Sequence, residues 1–220
     1  MKPANFKILP LWFQKAILMA ILLAVVSLGY LSINAMNAGK TAVQLEIFLD
    51  RMIPFNHHWV WAYYLYFPFI FLPILFLRDT KELLKAFIFY LLTAVITLTI
   101  FALWRTVMIR PDIVANDLSA RLLQGIYDRD HPYNCFPSQH VAYSWTATVV
   151  AFRRNRTFGL IAVPIATLIT LSTLFVKQHW FVDAPGGIAV VITAYFITYK
   201  LLMKGKDYER DSDSCQSNCD

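Results

Sequence analysis

Charge is scarce in this chain. Asp, Glu, Lys and Arg make up 15% of its 220 residues, where a soluble domain carries roughly a quarter. The few charges sit in short clusters between long uncharged runs. That pattern excludes an ordinary soluble domain and reads as an integral membrane protein. Cysteine is nearly absent. Cys135, Cys215 and Cys219 are too few for a disulfide framework. Cys135 reads as a small loop residue, and Cys215 and Cys219 as loose thiols in a polar tail rather than a metal half-site or a lipidation pair. No internal repeat and no low-complexity segment occurs. Alternating apolar–polar runs of the barrel type are missing too. The spans are therefore helices, which satisfy their own backbone groups in lipid.

What the chain does have is a series of apolar runs. Six spans are expected, near residues 16–37, 59–77, 84–104, 140–152, 158–176 and 184–203. A hydrocarbon core roughly 30 Å thick needs about 20 helical residues, and most of these runs suffice. The reading is an all-α membrane protein. Residues 1–203 are expected to form a single six-helix bundle, and 204–220 a polar, disordered cytoplasmic tail. The first run follows Lys2, Lys7 and Lys15 and is too long for a cleaved signal, so it reads as a retained anchor. The fourth run is short. Its start at His140 is expected below the membrane surface, in a cavity lined by protein.

The net charge is +6. The basic residues flank the apolar runs, so they report topology and lipid headgroups rather than nucleic acid. The leader, the loop around Arg78, Lys81 and Lys85, the loop Arg153-Arg154-Asn155-Arg156 and the tail with Lys204, Lys206 and Arg210 fall on one side. The positive-inside rule makes that side cytoplasmic, with both termini. The long loop 105–139 falls outside. Its acids, Asp112, Asp117, Asp128 and Asp130, read as a solvated loop, and His57, His58 and His131 as loop residues. Trp59, Trp61, Tyr63 and Tyr64 read as an interfacial lipid belt.

Two polar boundaries interrupt the apolar pattern on the outer side. One is "HPYNCFPSQHVAYSW", where Pro137-Ser138-Gln139-His140 opens the fourth helix. Ser138 is its expected cap, leaving free N–H groups and a positive dipole end. The other is "STLFVKQHWFVDAPGG", where His179 and Asp183 stand four positions apart. On a helical turn they share a face, and the carboxylate then fixes the tautomer of the imidazole. The third span ends in "RTVMIRPD", with Arg105, Arg110 and Pro111. Arginine offers a fork of donors matched to phosphate oxygens. Arg110, Lys177, Ser138 and the helix end make an expected anion pocket. Two histidines within it point to phosphoryl transfer through a phosphohistidine.

These clusters resemble the type 2 phosphatidic acid phosphatase family, whose motifs are K-x6-R-P, P-S-G-H and S-R-x5-H-x3-D. The likeness runs from about residue 84 to 200. It rests on Arg110-Pro111, on Pro137-Ser138-Gln139-His140, and on Ser172 with His179 and Asp183. Leu103 stands at the first-motif lysine, Gln139 at the glycine and Thr173 at the third-motif arginine. Arg105 and Lys177 are the expected substitutes. "FPSxH" followed by "HxFVD" is also similar to the inositol phosphorylceramide and sphingomyelin synthase branch. The resemblance implies a lipid phosphate phosphatase with its site at the outer face. His179 would attack phosphorus, Asp183 would orient it, and His140 would serve as acid and base. Arg110, Ser138, Gln139, Lys177 and Arg105 would bind substrate, with no metal and no cofactor. Phosphatidate, phosphatidylglycerophosphate, polyprenyl pyrophosphate and a phosphorylated glycolipid are all open as substrates. A lipid phosphotransferase is the alternative, and a small transporter a further one.

Overall fold

The structure, a computed structural model, describes residues 9–202. Lys2, Lys7 and the tail from Lys204 to Asp220, with Cys215 and Cys219, lie outside the described residues. Among the described residues, four helical runs are long and apolar enough to cross a membrane: α1 (Leu11–Asn37), the run His57–Leu75, α6 (Thr80–Leu103) and α9 (Arg156–Phe175). α8 (Gln139–Arg154) and α10 (Asp183–Tyr195) begin where spans four and six are expected. They have 16 and 13 residues, short of membrane length as single α-helices, and α10 continues as a π-helical segment, Phe196–Leu202.

The second run differs most from its expected form. It breaks into a 3-10 turn (His57–Trp59) and short helices α3 (Val60–Tyr64), α4 (Tyr66–Phe69) and α5 (Leu72–Leu75). Pro68 and Pro73 lie inside it. Each removes a backbone donor and crowds the preceding turn. A short helix α2 (Phe48–Met52) precedes this run. In the loop 105–139, α7 (Leu118–Arg129) forms, with Leu123 fully buried. Asp117 caps it, its carboxylate accepting from Ala120 N at 2.9 Å.

Other helix starts follow the same chemistry. Asp79 accepts from Glu82 N at 2.8 Å, Ser138 from Val141 N at 3.4 Å, and Asn155 from Thr157 N at 2.8 Å. Each short polar side chain satisfies an orphan amide. α8 packs chiefly on α9, and small residues are among the buried ones of both helices, Ala142, Ala147 and Ala151 in one and Ala162 and Ala166 in the other. Small residues let helix backbones approach when lipid supplies no hydrophobic drive. Gly187 does the same between α10 and α8. A Cβ there would sit 2.8 Å from Ser138 O. The two helix starts are joined by Ser138 N donating to Asp183 O at 3.0 Å.

α1 is peripheral, and of its 27 residues only Leu22, Asn34 and Asn37 are buried. Its polar end ties down the loop before α8. Asn34 donates to His131 O at 3.2 Å, and Asn37 to Asn134 Oδ1 at 2.9 Å. Among the described residues there is no β-strand. Isolated bridges, Val43 with Thr106 and Val107 with Tyr133, stitch the loops at this end.

Candidate active site

The polar boundaries before α8 and α10 meet at one end of the bundle. His179 Nδ1 faces two acceptors, Asp183 Oδ2 at 3.1 Å and Cys135 O at 2.9 Å. Only an N–H satisfies both, so the Nδ1 carries the proton and Nε2 of the neutral ring keeps its lone pair. That Nε2 lies 3.2 Å from His140 Nδ1. His140 therefore donates through Nδ1. Its ring is held between Tyr63 and Tyr66, with centroids 4.7 and 4.5 Å away.

Asp183 is fully buried. Its Oδ2 also accepts from Trp180 N at 2.9 Å, while Oδ1 has no partner among the described residues. A buried carboxylate so placed needs donors, and the His179 Nδ1–H and the Trp180 amide supply them. The loop carrying His179 is braced from two sides. Trp180 Nε1 donates to Val107 O at 2.9 Å, and Phe181 N to Asp50 Oδ1 at 2.7 Å. Thr106 Oγ1 accepts from Cys135 N and Phe136 N at 3.0 and 2.9 Å, which sets the carbonyl facing His179. Burial pushes the Cys135 thiol well above its usual pKa, and the nearby Asp183 charge adds to the shift.

A cavity of about 410 Å³ opens from the two histidines. Arg110, Asp130, Gln139 and Gln178 complete its polar end, and Leu23, Val26, Tyr66, Ile70 and Phe71 belong to its apolar walls. Arg110 lies in this cavity, but its guanidinium is already engaged. It donates to Asp130 O and to Gln178 Oε1, pairs with Asp130 Oδ2 at 3.4 Å, and lies 4.6 Å over the Tyr127 ring. Tyr30 of α1 donates to the other Asp130 oxygen at 2.5 Å.

The remaining expected ligands are placed differently. Ser138 is buried as the cap of α8 and does not line the cavity. Lys177 does not line it either. Its Nζ donates to Ile53 O at 2.6 Å and Asp50 O at 3.1 Å. Burial lowers the Lys177 pKa, opposed by the charges of Asp50 and Glu46. Arg105 is exposed and outside the cavity wall.

A sequence profile described as the PAP2 superfamily matches residues 40–197. The chain belongs to the PAP2 superfamily. Neither the curated proteins nor the solved structures yielded a match. Superfamily membership supports a phosphatase or phosphotransferase type of chemistry on a lipid phosphate in a membrane. The matched span takes in Arg110, His140, His179 and Asp183 and leaves α1 outside it.

For a PAP2 superfamily chain the polar cavity holds groups that the motifs alone do not name. Gln178, Asp130, Tyr30 and Arg129 all line it. Gln178 sits next to His179 in sequence, and Arg129 next to Asp130, so adjacency was the available signal. Tyr63 is buried against His140 rather than set in a lipid belt, because α3 packs inward on α7 and α9. Asp130 faces the cavity and Asp117 pairs with His57 Nε2 at 2.8 Å, so neither is merely solvated. The ligand atoms of His57, His58 and Asp117 all lie within 4.8 Å of one another.

Proposed function

We propose that this protein is a membrane-embedded lipid phosphate phosphatase acting through a phosphohistidine on His179. The observation that carries the reading is the relay Asp183–His179–His140 at the head of an amphipathic cavity. The His179 Nε2 lone pair attacks phosphorus, forming an N–P bond as the P–O bond to the lipid breaks. His140 gives its Nδ1 proton to the departing alkoxide. Its proton now points along the line into which the phosphoryl group would insert. Water, deprotonated by His140, then cleaves the N–P bond and releases phosphate. Asp183 stabilises the charge that His179 gains.

Phosphoryl transfer needs charge stabilisation on three oxygens, and the protein's own donors at the cavity head supply it, with no metal or cofactor invoked. Arg110 is a cation at this polar end, with the Gln178 amide against it and Gln139 on the same cavity wall. Substrate displaces part of the Arg110–Asp130 pair. The apolar walls accept the first part of an acyl or prenyl chain. Six spans are proposed, with α8 and the α10–π segment completing the bundle. The distribution of basic residues supports a histidine end outside and both termini in the cytoplasm.

Transfer to a lipid alcohol is the second reading. It is favoured by the engaged state of Arg110 and by the absence of Lys177 and Arg105 from the cavity wall. With Arg110 engaged, Arg129 is the other cation on the wall, and one open cation suits a phosphodiester better than a dianion. The test is one assay with two readouts. Purified protein in detergent is given phosphatidate, with and without EDTA, then with an added lipid alcohol. Phosphate release insensitive to EDTA is expected. Release that EDTA abolishes would refute the metal-independent mechanism, and a new phospholipid without released phosphate would establish transfer instead.

A further inference from the structure

A second cavity lies at the opposite end of the molecule. It measures about 250 Å³ and is bounded by Leu77, the start of α6, the end of α8 and Tyr199. α8 separates it from the histidines, with His140 and Arg154 about 21 Å apart along the axis. Its wall presents three cations, Lys85, Arg153 and Arg154, against one acid, Glu82. Glu82 is turned to the backbone, where Oε2 accepts from Arg78 N at 3.1 Å. Among the described residues no carboxylate lies within ion-pair distance of the three cations. Arg153 Nη1 donates to the Tyr195 hydroxyl at 3.5 Å, and each guanidinium has one further contact. Arg153 Cζ lies 3.9 Å over the Tyr199 ring, and Arg154 Nε donates to Phe76 O at 3.0 Å. A guanidinium has five N–H donors, so both keep donors to spare.

We propose that this cavity binds a phosphate group, carried by an anionic membrane lipid. The positive-inside rule accounts for cations at a helix end. It does not account for three that converge on one concavity, with an aromatic platform and, among the described residues, a single acid that is bonded to backbone. Basic pockets between membrane helices hold anionic headgroups in this manner. Exposed Phe76 and Phe152, the neighbours of these cations, offer apolar surface for the attached chains. Such a site fixes the depth and tilt of the bundle, and it is independent of the chemistry at the other end.

The experiment uses the full chain in a neutral detergent. Phosphatidylglycerol, phosphatidylcholine and inorganic phosphate are added separately. Lipid retention is read by native mass spectrometry and protection by thermal unfolding. Phosphatidylglycerol is expected to be retained and protective, phosphatidylcholine not. Lys85→Gln with Arg153→Gln should weaken retention roughly thirtyfold, from about fivefold per charge. Lys85→Gln alone should give about fivefold, and it removes no hydrogen bond among the described residues. Lys200→Gln, at the same end but outside the cavity, should change nothing. Protection by inorganic phosphate alone, lost in the same variants, would support the cavity with a free anion as its ligand. Retention unchanged by the double variant, lowered equally by Lys200→Gln, or lowered only by Arg110→Gln would overturn the proposal.

Discussion

His140 Nδ1 and His179 Nε2 are 3.2 Å apart, although 39 residues separate them in the chain. In the proposed mechanism the contact closes the gap that a phosphoryl group would occupy. Substrate would then part the two rings, and each ring would meet one side of the phosphorus. That proposal gives the two histidines separable roles. His179→Ala should lower turnover at least about 10³-fold. His140→Ala should keep the nucleophile and accumulate an acid-labile phosphoenzyme from a substrate with a good leaving group. Quenched-flow labelling with radioactive phosphate checks both, and label retained in His179→Ala would remove that residue from the nucleophile role.

In the proposed mechanism Asp183 acts through His179. Asp183→Asn keeps the shape but lets an amide N–H face Nδ1, which favours the wrong tautomer. The expected loss in kcat is about 10²–10⁴, with KM near the wild-type value. A variant with raised KM and unchanged kcat would show that Asp183 shapes binding instead.

Lys177 sits two residues before His179 yet holds the segment around Asp50. Lys177→Met should lower stability by about 1–2 kcal/mol, read by thermal unfolding, while KM for the lipid stays near wild type. A large rise in KM without loss of stability would return Lys177 to the substrate.

Cys135 is the thiol nearest the relay, but burial keeps it protonated. Its pKa lies above the ordinary range, so thiolate is scarce at neutral and mildly alkaline pH. Raising pH towards the usual thiol pKa should not increase its reactivity in the folded state. Peptide-resolved alkylation at pH 8.5 should modify Cys135 only after unfolding. Fast labelling in native detergent would contradict the packing around the His179 loop.

Much of the architecture was legible along the chain, since apolar runs and short polar caps act locally. Asp79, Asp117, Ser138 and Asn155 start helices with their own side chains, and His179 and Asp183, four positions apart, meet across the tight turn that leads into α10 rather than on a helical turn. The break of the second run was also written in Pro68 and Pro73, although hydropathy alone passes over both.

Which side chains enter the cavity is a different matter. Lys177 and Gln178 are neighbours, and charge made the lysine the expected phosphate ligand. The backbone at Lys177 turns left-handed, with φ 50°, and sends the ammonium to Asp50 while Gln178 meets Arg110. Asp130, Tyr30 and Tyr63 come from three separate segments. Long-range packing sets their direction, and no local spacing encodes it. The order of helices and their ends thus follows from short-range chemistry, and the polar lining of the cavity from how distant loops fold over one another.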